Sequence, residues 1–214
     1  MKIGIFDSGK GGTTIMAAIK QVLPEAAYKY IGDSDNCPYG EKTDTELWSI
    51  VTHHVDTLKA WGADIIVLAC NTATTRCIER LRQQYPELKF VGTEPAIKLA
   101  AESKARRILV MATPGTVNSE RTEQLILKNR RPGETIDLLA CPGLADVIEA
   151  GQGIGQKLQS LLGPQPRDYD IVVLGCTHYS LIKPEIQRYF PNATLIDGNT
   201  GVAKRVKNIA TQNP

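Results

Sequence analysis

The chain has 214 residues, with 25 Lys plus Arg against 23 Asp plus Glu, a formal net charge of +2. Hydrophobic residues at 42% and charged residues at 22% argue against intrinsic disorder, and the length suffices for one large or two small domains with their own cores. A charge this small, with no dense basic tract, gives no reason to expect nucleic acid, and no apolar run approaches the roughly 20 residues that cross a bilayer, so no membrane partner is expected either.

The opening MKIGIFDSGKGG turns polar at Asp7, too early for the apolar stretch of a signal peptide. The expectation is a cytoplasmic protein whose five cysteines, Cys37, Cys70, Cys77, Cys141 and Cys176, stay reduced. None forms a CxxC pair and no His/Cys cluster has zinc spacing, so no metal is expected.

In chain order, β-rich runs fall at 2–6, 28–31, 65–69, 89–91, 107–111, 136–139, 171–174 and 194–196, with helical patterns filling most gaps. The clearest helix is 46–61, where Leu47, Ile50, Val51, His54, Val55, Leu58 and Trp61 form one apolar stripe. Strands alternating with helices predict an α/β fold with mostly parallel sheets. The eight strands divide into two sets of four. KIGIF at 2–6 parallels RILVM at 107–111, ADIIVLACNT at 63–72 parallels YDIVVLGCTH at 169–178, and KFVG at 89–92 parallels TLID at 194–197, offsets of 105, 106 and 105 residues. Near-equal offsets in the same order indicate an internal duplication. The expected organisation is a first α/β domain over 1–94, to which 198–214 returns, and a second over 95–197. Ligands of such sheets bind beyond the strands' carboxyl ends, which puts the site between the two units.

Three motifs carry chemistry. Asp7-Ser8-Gly9-Lys10-Gly11-Gly12 follows the first strand; its glycines permit a tight turn whose N–H groups face an anion, and Asp7 adds a carboxylate. Cys70-Asn71-Thr72 and Cys176-Thr177-His178 end matched strands. A single cysteine there would most often be a small buried hydrophobe. Two at equivalent positions, each at a potential helix N-terminus that would lower its pKa, suggest acid/base chemistry instead. His178 is placed to act on Cys176 and Asp7 near Cys70. Two opposed thiols suit removal of a proton from one face of a carbon and delivery to the other, that is, racemisation or epimerisation. The remaining cysteines, Cys37, Cys77 and Cys141, read as structural, His54 as packed on its helix, and Lys10 as solvated.

These motifs resemble the aspartate/glutamate racemase family. FDSGxGG at 6–12, GDxxxCPYG at 32–40, ACNTAT at 69–74, VGxEPAIK at 91–98, ATPGTVNSE at 112–120, CPGL at 141–144 and LGCTHY at 174–179 span almost the whole chain in order. CTHY favours the glutamate branch. The resemblance implies two pseudo-symmetric flavodoxin-like domains, often as a homodimer. It also implies cofactor-independent interconversion of L- and D-glutamate, supplying D-glutamate for peptidoglycan. Carried over by position, Cys70 and Cys176 are the catalytic pair, with Asp7 and His178 assisting. Ser8, Tyr39, Gly40, Asn71, Thr72, Thr177 and His178, together with Asp7, hold the substrate. Thr113 and Thr116 line the same cleft, and Glu149 matches an acidic position near the site. On its own residues Tyr39 reads only as a turn residue after Pro38. The chain departs from the family pattern at Lys10, Thr13, Thr93 and Ser180. Two other readings stay open: a racemase of another acidic amino acid such as aspartate, and a binding protein on the same fold without turnover.

Overall fold

The computed structural model describes residues 1–212. The first half runs β1 (Lys2–Asp7), α1 (Thr13–Val22), β2 (Ala27–Gly32), α2 (Asp44–Ala60), β3 (Ile65–Leu68), α3 (Asn71–Gln84) and β4 (Lys89–Gly92). The second begins with α4 (Ile97–Glu102), β5 (Arg107–Ala112), α5 (Pro114–Val117), α6 (Glu120–Asn129), β6 (Thr135–Ala140) and α7 (Leu144–Ala150). It continues through α8 (Ile154–Leu162), β7 (Ile171–Leu174), α9 (Thr177–Ser180), α10 (Lys183–Gln187) and β8 (Thr194–Ile196) to α11 (Asn199–Thr211). All eight expected strands are present: five are longer by one residue at one or both ends, two match, and β3 is one residue shorter.

The strands form two four-stranded sheets, ordered β2-β1-β3-β4 and β6-β5-β7-β8. Every pairing is parallel. Matching registers, Ile3 opposite Ile65 and Ile108 opposite Ile171, extend the repeat from the sequence to the hydrogen-bond ladders. In each sheet the chain leaves the central strand in one direction and later returns to its other side. This creates a switch point between β1 and β3 and another between β5 and β7, where the loops diverge and leave a crevice.

Strand alternation divides each core in two. In the first sheet, Ile3, Ile5, Ile65, Val67 and Val91 face α1 and α11, while Phe6, Ile66, Leu68 and Phe90 face α2 and α3. In the second, Leu109, Met111, Val172 and Leu174 pack under α7 to α10, and Ile108, Val110, Ile171 and Val173 under α4 and α6. Val202, Ala203 and Val206 of α11 lie in the first half's core, so the chain's last helix covers its first sheet. Asn213 and Pro214, at the end of the segment expected to return, lie outside the described residues. No helix among the described residues is long and apolar enough to cross a membrane.

Helix α2 starts two residues before its apolar stripe predicts. Thr43 and Glu46 form a capping box: the Glu46 N–H donates to Thr43 Oγ1 at 3.3 Å and the Thr43 N–H to Glu46 Oε2 at 2.9 Å, satisfying two end donors together. Leu47, Val51, Val55 and Leu58 of the stripe are fully buried. His54 packs its ring 5.8 Å from that of Phe6 and sets Nε2 3.0 Å from Asp33 Oδ2, a polar partner that periodicity alone does not reveal.

Leu58 has no exposed surface and sits against Gly4 of β1. Leu58→Ala is expected to cost about 2–5 kcal/mol from lost burial plus the cavity left behind, read as a lower urea midpoint with an unchanged denaturant slope.

Candidate active site

The carboxyl ends of the two sheets meet along a seam. Cys70 lies two residues after β3 and is the N-cap of α3; Cys176 lies two residues after β7 and is the N-cap of α9. Both are nearly inaccessible, at 5% and 7% exposure, and the charge of one opposes ionisation of the other, so the two sulfurs share one electrostatic neighbourhood.

Asp7 ends β1 with no exposed surface. Its Oδ2 accepts the Gly12 N–H at 2.7 Å, and the Thr177 hydroxyl donates to the carboxylate at 3.2 Å from the opposite half. Burial raises the Asp7 pKa above the usual carboxylate range, against the opposing pull of His178 and these hydrogen bonds. The glycine loop therefore does meet acidic groups, but they are the protein's own. Gly12 N–H takes Asp7, and Lys10 N–H takes Glu149 Oε2 at 3.0 Å. The glycines also allow close approach. A methyl group at Gly9 would fall 2.5 Å from Glu149 Oε2, and one at Gly11 would fall 2.6 Å from both the His178 backbone nitrogen and Thr177 Oγ1.

His178 is fully buried. Its Nδ1 lies 3.8 Å from Cys176 Sγ and its Nε2 2.7 Å from Glu149 Oε2. Glu149, on α7, also accepts the Ser34 hydroxyl at 2.5 Å through Oε1. Burial opposes its ionisation, but the bonds from Ser34, Lys10 and His178 prevail and hold its pKa below the usual range. Nothing local in the sequence marks this cluster, because Glu149 lies 139 residues from Lys10 and 115 from Ser34.

On the other side of the seam, the hydroxyls of Thr72, Thr113 and Thr116 form a buried cluster with separations of 2.8, 3.1 and 3.3 Å. Ser8 and Asn71 are buried beside Cys70, and the Ser8 hydroxyl favours its thiolate. Tyr39 is turned inward: its hydroxyl donates to Asp33 Oδ2 at 2.6 Å. Asp33 is in turn held below the usual carboxylate range: burial works against this, but His54, Tyr39 and Asn36 outweigh it. What the Tyr39–Gly40 turn offers at the seam is backbone, with Gly40 against Thr113 and Gly115. The structure thus brings Asp7, Ser8, Asn71, Thr72, Thr113, Thr116, Thr177, His178, Glu149 and both thiols together and commits the Tyr39 hydroxyl elsewhere. A separate opening of about 740 Å³ between α2, α3 and α6, lined by Trp48, Arg76, Arg80 and Arg121, touches none of these residues.

The thiols differ from the low-pKa expectation. Burial first, then the Asp7 carboxylate, push Cys70 up to about 11 despite hydrogen bonds from Ser8 and the Ala73 and Thr72 N–H groups. Burial likewise pushes Cys176 well above the ordinary range, with the charge of Cys70 next. Desolvation of a thiolate in this closed seam outweighs the helix N-terminus. Of the departures, Ser180 donates to Asp197 at 3.3 Å and Thr13 to the Lys10 carbonyl at 2.7 Å. The buried Thr93 hydroxyl has no partner, and nothing in the structure explains it.

A family model described as Asp/Glu/hydantoin racemase matches residues 12–206. A curated glutamate racemase from Clostridium novyi (strain NT) is 38% identical over 220 residues, covering 100% of this chain and 85% of its own. One from Lachnospira eligens is 40% identical over 217 residues, covering 97% and 81%. Among solved structures, a Bacillus anthracis glutamate racemase isoform superposes with a TM-score of 0.85 at 31% identity, covering 98% of this chain and 81% of that one. Escherichia coli glutamate racemase, solved with L-glutamate and an activator, gives 0.85 at 30% identity, covering 96% and 80%. An allantoin racemase from Klebsiella pneumoniae shares the fold at a TM-score of 0.61 and 18% identity, covering 99% and 88%.

Two outcomes follow from this geometry. Gly11→Ala is expected to destabilise by about 1–3 kcal/mol through overpacking against rigid backbone, while Gly155→Ala, in open space on α8, is expected to stabilise by about 0.5–1 kcal/mol through helix propensity; paired urea titrations read the opposite signs. Cys70 at about 11 and Cys37, Cys77 and Cys141 at about 12 keep protons that the unfolded chain releases above about pH 8.5. Their contribution to stability is therefore complete below that pH and is lost as pH rises toward 11–12, visible as a steepening fall in melting temperature.

Proposed function

The chain belongs to the Asp/Glu/hydantoin racemase family and is an amino-acid racemase, an isomerase; from that premise we propose that it interconverts L- and D-glutamate without a cofactor, using Cys70 and Cys176 as its two bases. One sulfur, as thiolate, takes the Cα proton; the other, as thiol, returns a proton to the opposite face, so each turnover exchanges the two roles. The observation that carries this reading is the matched placement of Cys70 and Cys176, each two residues beyond the switch-point strand of its own sheet and buried in the common seam.

Ionisation is the first demand. Backbone N–H groups of Thr72 and Ala73 near Cys70, and of His178 near Cys176, favour each thiolate against burial. The substrate ammonium would add positive charge where Asp7 now opposes thiolate formation. His178, held by Glu149, is the group placed to exchange a proton with Cys176. Across the seam Asp7, bonded to Thr177, occupies the corresponding place near Cys70. Ser8, Asn71, Thr72, Thr177 and the Tyr39–Gly40 turn would orient the substrate's charged groups so that Cα lies between the sulfurs. Glutamate is favoured over aspartate by the named relatives at 38% and 40% identity. The D-glutamate formed would supply peptidoglycan, and so cell shape, from a cytoplasmic enzyme that is a homodimer.

In heavy water, each enantiomer of glutamate is expected to acquire deuterium at Cα while optical rotation decays to zero. Cys70→Ala and Cys176→Ala should each lower two-way turnover by about 10²–10⁴-fold. Full racemisation by either variant would rule out the two-base scheme. Faster exchange with aspartate would move the substrate, and binding without exchange would favour the non-catalytic reading.

A further inference from the structure

Lys10 is where this chain departs from its family's pattern in the glycine loop, and the structure gives that departure a contact. Its ammonium donates to the backbone carbonyl of Glu149 at 2.9 Å, while its own N–H donates to Glu149 Oε2 at 3.0 Å. The accepting carbonyl belongs to the last turn of α7, where a helix leaves carbonyls without intrahelical partners and where a cation is favoured. The same Glu149 carboxylate holds His178 at 2.7 Å and receives Ser34 at 2.5 Å. A continuous path thus runs from an exposed lysine of the first half, through Glu149 of the second, to His178 and the Cys176 sulfur. Beyond Glu149, α7 ends at Gly151 in the left-handed conformation, where the Gly151 and Gln152 N–H groups close the last turn onto the Ile148 and Val147 carbonyls and leave the Glu149 carbonyl to Lys10.

Both thiols lie behind this contact at 5% and 7% exposure. Access of a reagent to them depends on how closely the two halves pack along the seam. We propose that Lys10 is a positioning residue: by gripping the last turn of α7 across the seam, it holds the halves closed and keeps the Glu149 carboxylate on His178. The backbone N–H of residue 10 contributes in any variant, so the part specific to this chain is the ammonium. Being exposed, that single contact shifts the open–closed balance modestly, by about two- to fivefold.

Thiol reactivity tests this without any substrate, so failure of the glutamate assignment would leave the result interpretable. The full chain and its Lys10→Met and Lys10→Arg variants are treated with iodoacetamide, and alkylation of each cysteine is followed by mass spectrometry. The expected result is a two- to fivefold faster reaction at both Cys70 and Cys176 in Lys10→Met, restored in Lys10→Arg, with Cys77, buried in the first half's core, unchanged. On the reading proposed above, KM for glutamate should rise by a similar factor in Lys10→Met, with a smaller change in kcat. Equal alkylation of Cys70 and Cys176 in parent and Lys10→Met would overturn the proposal. So would a parallel rise at Cys77, which would report general loosening instead of opening at the seam.

Discussion

Direct backbone contact between the two halves is the constraint on which this structure depends. Gly9 and Gly11 carry no side chain where Glu149, His178 and Thr177 of the other half come closest. A methyl group at Gly9 would have to displace the Glu149 carboxylate, and one at Gly11 the backbone of the other half. This bare strip lets Thr177 of one half come close enough to bond Asp7 of the other. Two small sheets, each with one switch point, thereby become one enclosed site.

Enclosure sets the electrostatics. Asp7, Cys70, Cys176 and His178 all lie at or below 7% exposure, where a charge without a partner is expensive. The acids divide according to their partners. Glu149 has three donors and is held ionised, while Asp7, with deeper burial, is pushed the other way. Both thiols are pushed toward neutrality. The closed seam is thus a store of protons on sulfur. On the proposed two-base reading, one thiol is thereby kept as an acid, and the substrate's positive charge would favour the other as a base.

The threonine cluster and the glycine strip do different work on the two sides of the seam. Thr72, Thr113 and Thr116 join the halves by neutral hydroxyls that can exchange partners at little cost. On the Glu149 side the contacts are charge-assisted and more directional. Of the four residues that differ from the family's usual pattern, Lys10 sits at the Glu149 edge, with the Thr13 hydroxyl on its carbonyl.

The amino-acid sequence by itself determined the α/β class, all eight strands, their division into two repeats and the identity of both cysteines. Each of these is written in local patterns: alternation along a strand, an apolar stripe on α2, a repeated string at near-constant offset. It also marked Asp7, Thr177 and His178 by adjacency to those strings. Tertiary structure alone decided what those residues touch. It turned the Tyr39 hydroxyl away to Asp33, gave His54 a carboxylate neighbour, and made Glu149 the meeting point of Lys10, Ser34 and His178. It also reversed the thiol pKa expectation, because a helix N-terminus is a local feature, whereas desolvation depends on how completely distant segments close over the sulfur.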